Sequence, residues 1–475
     1  MTRFLACLQG LFIVCWLTCE PLLASDWPQF RGPNGSGVSD ASNLPVKFGV
    51  KENVLWRIAV PLGNSSPIVA GNRVFLTASE KETLQVLCLD AQTGKLLWQK
   101  GIVKNRVEHV TPPNDASTPS AVTDGNNVYV FFPETGLIAF GVDGQEKWKV
   151  RLGPFKSVHG VTASPIVVDG SVFVLVDQLE DSYLAAFDTK DGVLRWRAER
   201  ASGFLGGYST PVAHRPSEGP VQVVVAGALE LTGYSAKTGE RLWWARGLTN
   251  APVSTPVLNR NLLYICEPAG DSPPPFDQML PADKNKDSRL SPDEMGNAGM
   301  ARLVTSLDRG YGNNDGAVDA GEWNKAFEAV KTSGGLVAVH LGGTGDVTRT
   351  GMRWRYMKSL PYVSSTLLYK DILYMVRDGG ILTSLNPETG EVLKQGRLEG
   401  AIDPYYASPV AADDKVVVAS QTGKVTVLKA GAEWDILSVN DLGEECYATP
   451  AIANNRLYVR TRGSLYCFAH STVKR

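Results

Sequence analysis

The densest set of residues able to do chemistry is the run Asp283-Lys284-Asn285-Lys286-Asp287-Ser288-Arg289-Leu290-Ser291-Pro292-Asp293-Glu294. Asp283, Asn285 and Asp287 fall at positions 1, 3 and 5 of a twelve-residue calcium loop, with the Arg289 carbonyl at 7, Ser291 at 9 and Glu294 at 12. The spacing has a physical reason. Calcium takes about six to eight oxygens at roughly 2.3–2.6 Å, and a tight loop turns alternate short side chains inward while a final Glu closes the sphere with both oxygens. Leu290 supplies the apolar plug at position 8. Ser288 sits at position 6, where glycine normally takes the left-handed turn, a departure that costs on the order of 1 kcal/mol. Lys284, Lys286 and Arg289 offset the three carboxylates, so binding is expected near the millimolar end, as suits an extracytoplasmic site.

A second run ends on Glu322 and contains Asn313, Asp315, Gly316, Val318 and Asp319, with the glycine and the plug in place. Tyr311 stands where the first carboxylate belongs, and Asp308 lies three residues upstream, placed to swing in. The alternative for each run is a solvated Asp/Asn-rich turn. Both resemble EF-hand loops. Between them Met300, Leu303, Val304 and Leu307 make an amphipathic stripe, and Trp323, Phe327 and Val330 repeat it. Pro275 and Pro281 leave little room for an entering helix, so a loop-helix, loop-helix module is expected, stapled by the ion.

No other constellation points to catalysis. The five histidines, His109, His159, His214, His340 and His470, show no ligand spacing or nucleophile motif. Asp413-Asp414 and Glu444-Glu445 fall at turns or strand entrances. Asp346 follows the glycine-rich Gly342-Gly343-Thr344-Gly345 without a strand-to-helix context, so phosphate binding is not expected.

The elements that carry these loops come from a repeat. Ser66-Pro67, Thr118-Pro119, Ser164-Pro165, Thr210-Pro211, Thr255-Pro256, Ser408-Pro409 and Thr449-Pro450 each open an apolar strand, and Ser365-Thr366 keeps the pattern without the proline. A period of about 45 residues with β patterning predicts an all-β fold, an eight-bladed β-propeller of four-stranded sheets. One blade reads Ile68-Val69, Val74 to Leu76, Leu84 to Leu89, then an Asp90 to Gly94 turn and Leu96-Leu97-Trp98. Trp148, Trp196 and Trp243 recur at the same place and are expected to fill the wedge between blades. The step from Thr255-Pro256 to Ser365-Thr366 is long by about 65 residues. The EF-hand-like segment is therefore a small helical insertion at 267–334 within blade five. The last blade, ending at Leu465 to Phe468, lacks an outer strand. A lone strand at 53–60, around Trp56, is expected to complete it, because a ring must leave no edge unpaired.

Arg3 precedes a mostly apolar run from Phe4 to Leu23, and Ala24-Ser25 are small. Residues 1–25 thus read as a secretory signal peptide, 26–51 as an N-terminal extension and 52–475 as the propeller. A membrane anchor and a lipoprotein acylated at Cys19 are the alternatives. No other segment is apolar enough to span a bilayer, so no integral membrane segment is expected after cleavage. A net charge of −2 gives no electrostatic case for nucleic acid. Beyond the leader remain Cys88, Cys266, Cys446 and Cys467, all in or beside apolar strands; an oxidising compartment would permit a Cys446–Cys467 bridge.

The repeats resemble the pyrroloquinoline-quinone-type (PQQ, quinoprotein-like) propeller repeat of quinoprotein dehydrogenases and of the outer membrane protein assembly factor of Gram-negative bacteria. The stretch Asp26-Trp27-Pro28-Gln29-Phe30-Arg31-Gly32-Pro33-Asn34-Gly35 is similar to the opening of secreted propellers from planctomycete-type bacteria. The resemblance implies two functional classes. One is a non-catalytic, periplasmic or secreted, calcium-binding scaffold, a monomer that presents its loops to a protein, peptide or glycan. The other is a PQQ-dependent dehydrogenase of alcohols or sugars, with the quinone on the ring axis and calcium as Lewis acid. Such dehydrogenases carry an adjacent cysteine pair over the quinone, and no two of the four remaining cysteines adjoin.

Overall fold

Each Ser/Thr step leads into a short innermost strand, and three further antiparallel strands follow it outward, giving eight sheets around one axis. The computed structural model describes residues 26–203, 206–268, 274–331 and 333–470; the leader assigned to 1–25, and with it Cys19, lies outside them. Blade one is typical, with strands Ile68–Ala70, Arg73–Glu80, Thr83–Asp90 and Leu96–Val103 in spatial order. Its second strand has a continuous buried run instead of alternation because both faces are covered. Val74 and Leu76 pack toward blade eight, while Phe75 packs toward blade two. Val54–Ala59 pairs antiparallel with Ser464–Phe468 and is the outermost strand of blade eight. Among the described residues no helix is long and apolar enough to cross a membrane.

The opening hydroxyls do more than begin strands. Ser66 N donates to Ser120 Oγ (2.8 Å), Ser120 N to Ser164 Oγ (3.0 Å) and Ser164 N to Thr210 Oγ1 (3.1 Å). The chain of bonds resumes from Thr255 N to Ser365 Oγ, Ser365 N to Ser408 Oγ, Ser408 N to Thr449 Oγ1 and Thr449 N back to Ser66 Oγ. Each link ties one blade to the next at the axis. In blade two the member of this ring is Ser120, two residues beyond the expected Thr118-Pro119 step. Thr118 is spent in the preceding turn, where its Oγ1 accepts from Asp115 N (2.9 Å).

The repeated tryptophans lock the wedges from outside. Trp98 Nε1 donates to Val142 O, Trp148 to Thr189 O, Trp196 to Ala236 O and Trp354 to Pro387 O, each on the next blade. Each ring lies flat over a turn glycine of that blade: a Cβ on Gly144, Gly192, Gly239 or Gly390 would come within 2.5–2.8 Å of it. Trp56 does the same from blade eight onto Gly94 of blade one. Trp243 breaks the rule, donating to Gln222 of its own blade. In blade five the corresponding turn is replaced by a longer segment whose Gly345–Asp346 strand pairs parallel with Trp243 and Trp244.

Residues 26–48 run over one end of the axis, in contact with most of the ring. Trp27 bridges to Val69 of blade one, Pro28 O accepts from Thr123 of blade two, and the Asn34 amide bonds Ala213 of blade four. Ser39 reaches Ala411 of blade seven, and Ser42 reaches Asn455 of blade eight. These partners sit at the far ends of the innermost strands, away from the hydroxyl ring. Connections between blades, and those between second and third strands, emerge at the other face. Among the described residues four cysteines are free and buried, Cys446 and Cys467 among them, so the permitted bridge is not formed. Cys446 Sγ instead faces Arg460 O at 3.2 Å, and Cys467 pairs in register with Trp56 and Tyr458.

Candidate metal loops and the mouth of the ring axis

Between Leu262–Glu267 and Gly335–His340 of blade five, the chain leaves the sheet on the face that carries the hydroxyl ring. It forms a four-residue helix (Phe276–Met279), a 3-10 turn at Leu280–Ala282, and helices Ala298–Tyr311 and Ala320–Lys331. The apolar stripes meet in one core. Leu303, Val304, Leu307, Trp323 and Phe327 pack with Leu290 and Val318, and the core continues onto Ala228 and Leu229 of blade four. Polar contacts fix the orientation. Ser306 Oγ donates to Ser202 O (3.0 Å), Arg246 Nη2 donates to Gly310 O (3.0 Å), and the Arg246 guanidinium lies 4.8 Å above the Tyr311 ring.

The two acidic runs lie side by side. Leu290 and Val318 form an antiparallel bridge with both N–H···O bonds at 2.9 Å, so the plugs of the two loops are the residues that join them. In the first loop Asp283 accepts from the backbone of Lys286, Asp287 and Ser288, Asn285 Oδ1 from Asp287 N, and Asp287 Oδ1 from Arg289 N. Ser288 takes φ +64°, the left-handed turn that the serine at position 6 has to bear. Glu294 is turned back on the loop. Its oxygens accept from Lys284 N, Asn285 N, Ser291 N and Ser291 Oγ, bonds that hold its carboxyl down to about 2, with those from Ser291 foremost.

The second loop repeats the plan with a longer reach. Asp308, on the last turns of the Ala298–Tyr311 helix and 3% exposed, accepts from Asp315 N (3.2 Å) and Gly316 N (2.9 Å). Those are positions 5 and 6 of the second loop, the positions that Asp283 holds in the first. Asn313 Oδ1 accepts from Asp315 N, while Glu322 accepts from Asn313 N and Asp319 N. Asp315 is drawn away by Arg289, whose Nη2 donates to its Oδ2 at 2.6 Å and lowers the Asp315 pKa. Among the described residues no three His, Cys, Asp or Glu groups converge as a ready-made ion cage.

Inside the hydroxyl ring lies a cavity of about 130 Å³, floored by Phe30 and edged by Tyr208, Tyr406 and Tyr447. None of the described residues lining it is charged. His159 belongs to its rim, with Nδ1 3.0 Å from Thr111 Oγ1 and its ring against Tyr208. Around the mouth the blade connections expose Leu62, Val107, Met357, Tyr362 and Ile402, by 44–78%. Nothing in the sequence pattern signals this mouth or its closure from behind, and Asp26 to Gly35 carries only a resemblance.

A family profile described as "Outer membrane protein assembly factor BamB" matches residues 50–116, 85–271 and 330–472. The chain belongs to this family. The BamB of Moranella endobia is 24% identical over 247 residues, 50% of this chain and 58% of that protein. The quinoprotein alcohol dehydrogenase PedH of Pseudomonas putida is 25% identical over 195 residues, 38% of this chain and 32% of that protein. The chain thus spans about a third to three fifths of these relatives' length. The crystal structure of BamB from Moraxella catarrhalis superposes with a TM-score of 0.54 at 15% identity, covering 89% of this chain and 98% of that one. At that identity the BamB likeness shows the propeller fold alone. The BamB profile leaves 272–329 unmatched, the stretch that holds both acidic loops.

Proposed function

We propose that the protein is an extracytoplasmic, non-catalytic binding platform that presents its loop face to a protein partner, with a calcium-stapled insertion as part of that face. The observation that carries this reading is the axial cavity. PQQ carries three carboxylates, whereas the space at the axis is about 130 Å³, below the roughly 300–1,000 Å³ usual for ligand sites, and its described lining holds no charged group. The residues present do not fit the quinone, so no redox step is assigned. The exposed apolar and tyrosine side chains around the mouth are the kind of surface that a partner covers.

In this reading Asp283, Asn285, Asp287, the Arg289 carbonyl, Ser291 and Glu294 hold one calcium. Asp308, Asn313, Asp315, Asp319 and Glu322 hold a second, weaker one, with Asp308 in the place first allotted to Tyr311. The joined plugs and the matching roles of Asp283 and Asp308 support it. Secretion to the periplasm or beyond, a monomeric state and kinship with secreted planctomycete-type propellers belong to the same proposal, as do a leader at 1–25, an extension at 26–51 and an insertion at 267–334.

A photo-crosslinker at Tyr362 or Ile402 should capture a partner in the native cell envelope, whereas one at Val193 on an outer strand should not. Reconstitution with quinone and calcium should leave no retained chromophore and no dye-linked alcohol oxidation; either would overturn the reading. Calcium titration by calorimetry should show a heat that Glu294→Gln abolishes. Equal heats would remove the first loop from the assignment.

A further inference from the structure

Arg31 lies in the segment that closes the axis, and it is 0% exposed. Burial alone acts on its acidity, lowering its pKa from 12.5 to about 9, so the guanidinium remains charged at neutral pH. It forms two hydrogen bonds, from Nε to Gly35 O (3.0 Å) and from Nη2 to Thr366 O (2.6 Å). Nη1 has no partner among the described residues. Arg460 is the second guanidinium buried in this way; the Asp115 charge acts on it, and its Nε too has no partner among the described residues. Its Nη1 and Nη2 donate to Ser65 O, Thr77 O and Pro61 O as well as to the Ser65 hydroxyl. Arg31 has only half that cover.

Two hydroxyls beside Arg31 are left over as well. Thr366, whose carbonyl takes Nη2, stands where seven other repeats were read to have proline, and its Oγ1 is buried without a partner. Thr255, packed against Gly35 through its methyl group, likewise has an unpaired Oγ1. A buried charge is tolerated when it is paired, and an unmade buried hydrogen bond is costly. The unpartnered cation and the two unpartnered hydroxyls flank the same short segment, and the one occupant that would satisfy all three is a compact acceptor with negative charge.

We propose that Arg31 Nη1 and the Thr255 and Thr366 hydroxyls form an axial site for a small inorganic anion of the halide class, which completes the closure of the ring. Arg31 is 0% exposed and both hydroxyl oxygens are buried, so a carboxylate on a larger ligand does not reach them. The ion is structural and fastens the N-terminal segment to blades five and six.

Bromide tests this directly. Crystals of the full mature chain grown in sodium bromide should give an anomalous peak at hydrogen-bond distance from Arg31 Nη1. In solution, replacing gluconate by bromide at constant ionic strength should raise the Tm saturably, and Arg31→Met should remove that response. If the variant does not fold, the crystal decides alone. Bromide peaks confined to exposed lysines, no peak at Nη1, or an unchanged response in Arg31→Met would each overturn the proposal.

Discussion

Replacing one turn glycine measures how firmly neighbouring blades are locked. Gly144 has φ +85°, and a Cβ there would lie 2.8 Å from Cδ2 of Trp98. Gly125, in the same blade, has φ +91° with nothing within 4 Å of the added atom. Alanine at either position bears the left-handed strain, about 1–2 kcal/mol. Only Gly144→Ala also meets an indole that cannot easily withdraw, since Trp98 is tied to Val142 O at 3.0 Å and flanked by Phe75 and Phe140. Forcing such an overlap adds about 1–3 kcal/mol. Denaturant unfolding should therefore show a loss of about 1–2 kcal/mol for Gly125→Ala and about 2–5 kcal/mol for Gly144→Ala. In a Trp98→Ala background, the cost of Gly144→Ala should fall to that of Gly125→Ala. Equal losses for the two single variants would refute the lock.

Glu267 ends the strand before the insertion, is 1% exposed, and has its carboxyl pushed up to about 7 by burial, against the opposing effect of the two Thr249 hydrogen bonds and the Arg355 charge. Its ordinary value is 4.5, so the stability present below 4.5 is lost as pH rises from there through about 7, above which both states are ionised; the Tm of wild type should fall between pH 5 and 7 and level off by 8, and Glu267→Gln should flatten that fall. Ser288→Gly relieves the φ of +64° and should tighten calcium binding about 5-fold by calorimetry; no change would mean that the strain does not fall on the bound loop. Arg289→Gln frees Asp315 and should strengthen the second calcium heat, whereas an unaltered second heat would clear Arg289 of competing with the ion. Thiol titration of the chain from residue 26 should find no reactive group while it is folded and four after denaturation, because Cys88, Cys266, Cys446 and Cys467 are all buried and unbridged.

The propeller was legible because its cause is repetitive. Ser164-Pro165, Gly192 and Trp196 recur at a fixed interval since each serves a contact made once per blade. What escaped was whatever is used only once. Trp27 and Arg31 carry no periodicity, and their partners at Val69 and Thr366 are distant in the chain. The register of blade two was misjudged because Thr118-Pro119 imitates the step that Ser120 performs. Trp243 departs from its counterparts because a segment a hundred residues later, at Gly345–Asp346, takes the place of the turn it would have covered. The sequence spacing points to Asp308 as able to swing in, and the helix that carries it sets its reach onto Asp315 N and Gly316 N.

Pairing of Val54–Ala59 with Ser464–Phe468 sets an order of events at biogenesis. The strand near the N-terminus stays unpaired and partly apolar until residues more than four hundred positions downstream are in place. Long-range pairing of this kind is slow and leaves sticky intermediates. Closure of the ring is therefore the last step that pairing allows: a molecule truncated before Ser464 would keep an open seam and an unpaired Val54–Ala59 strand.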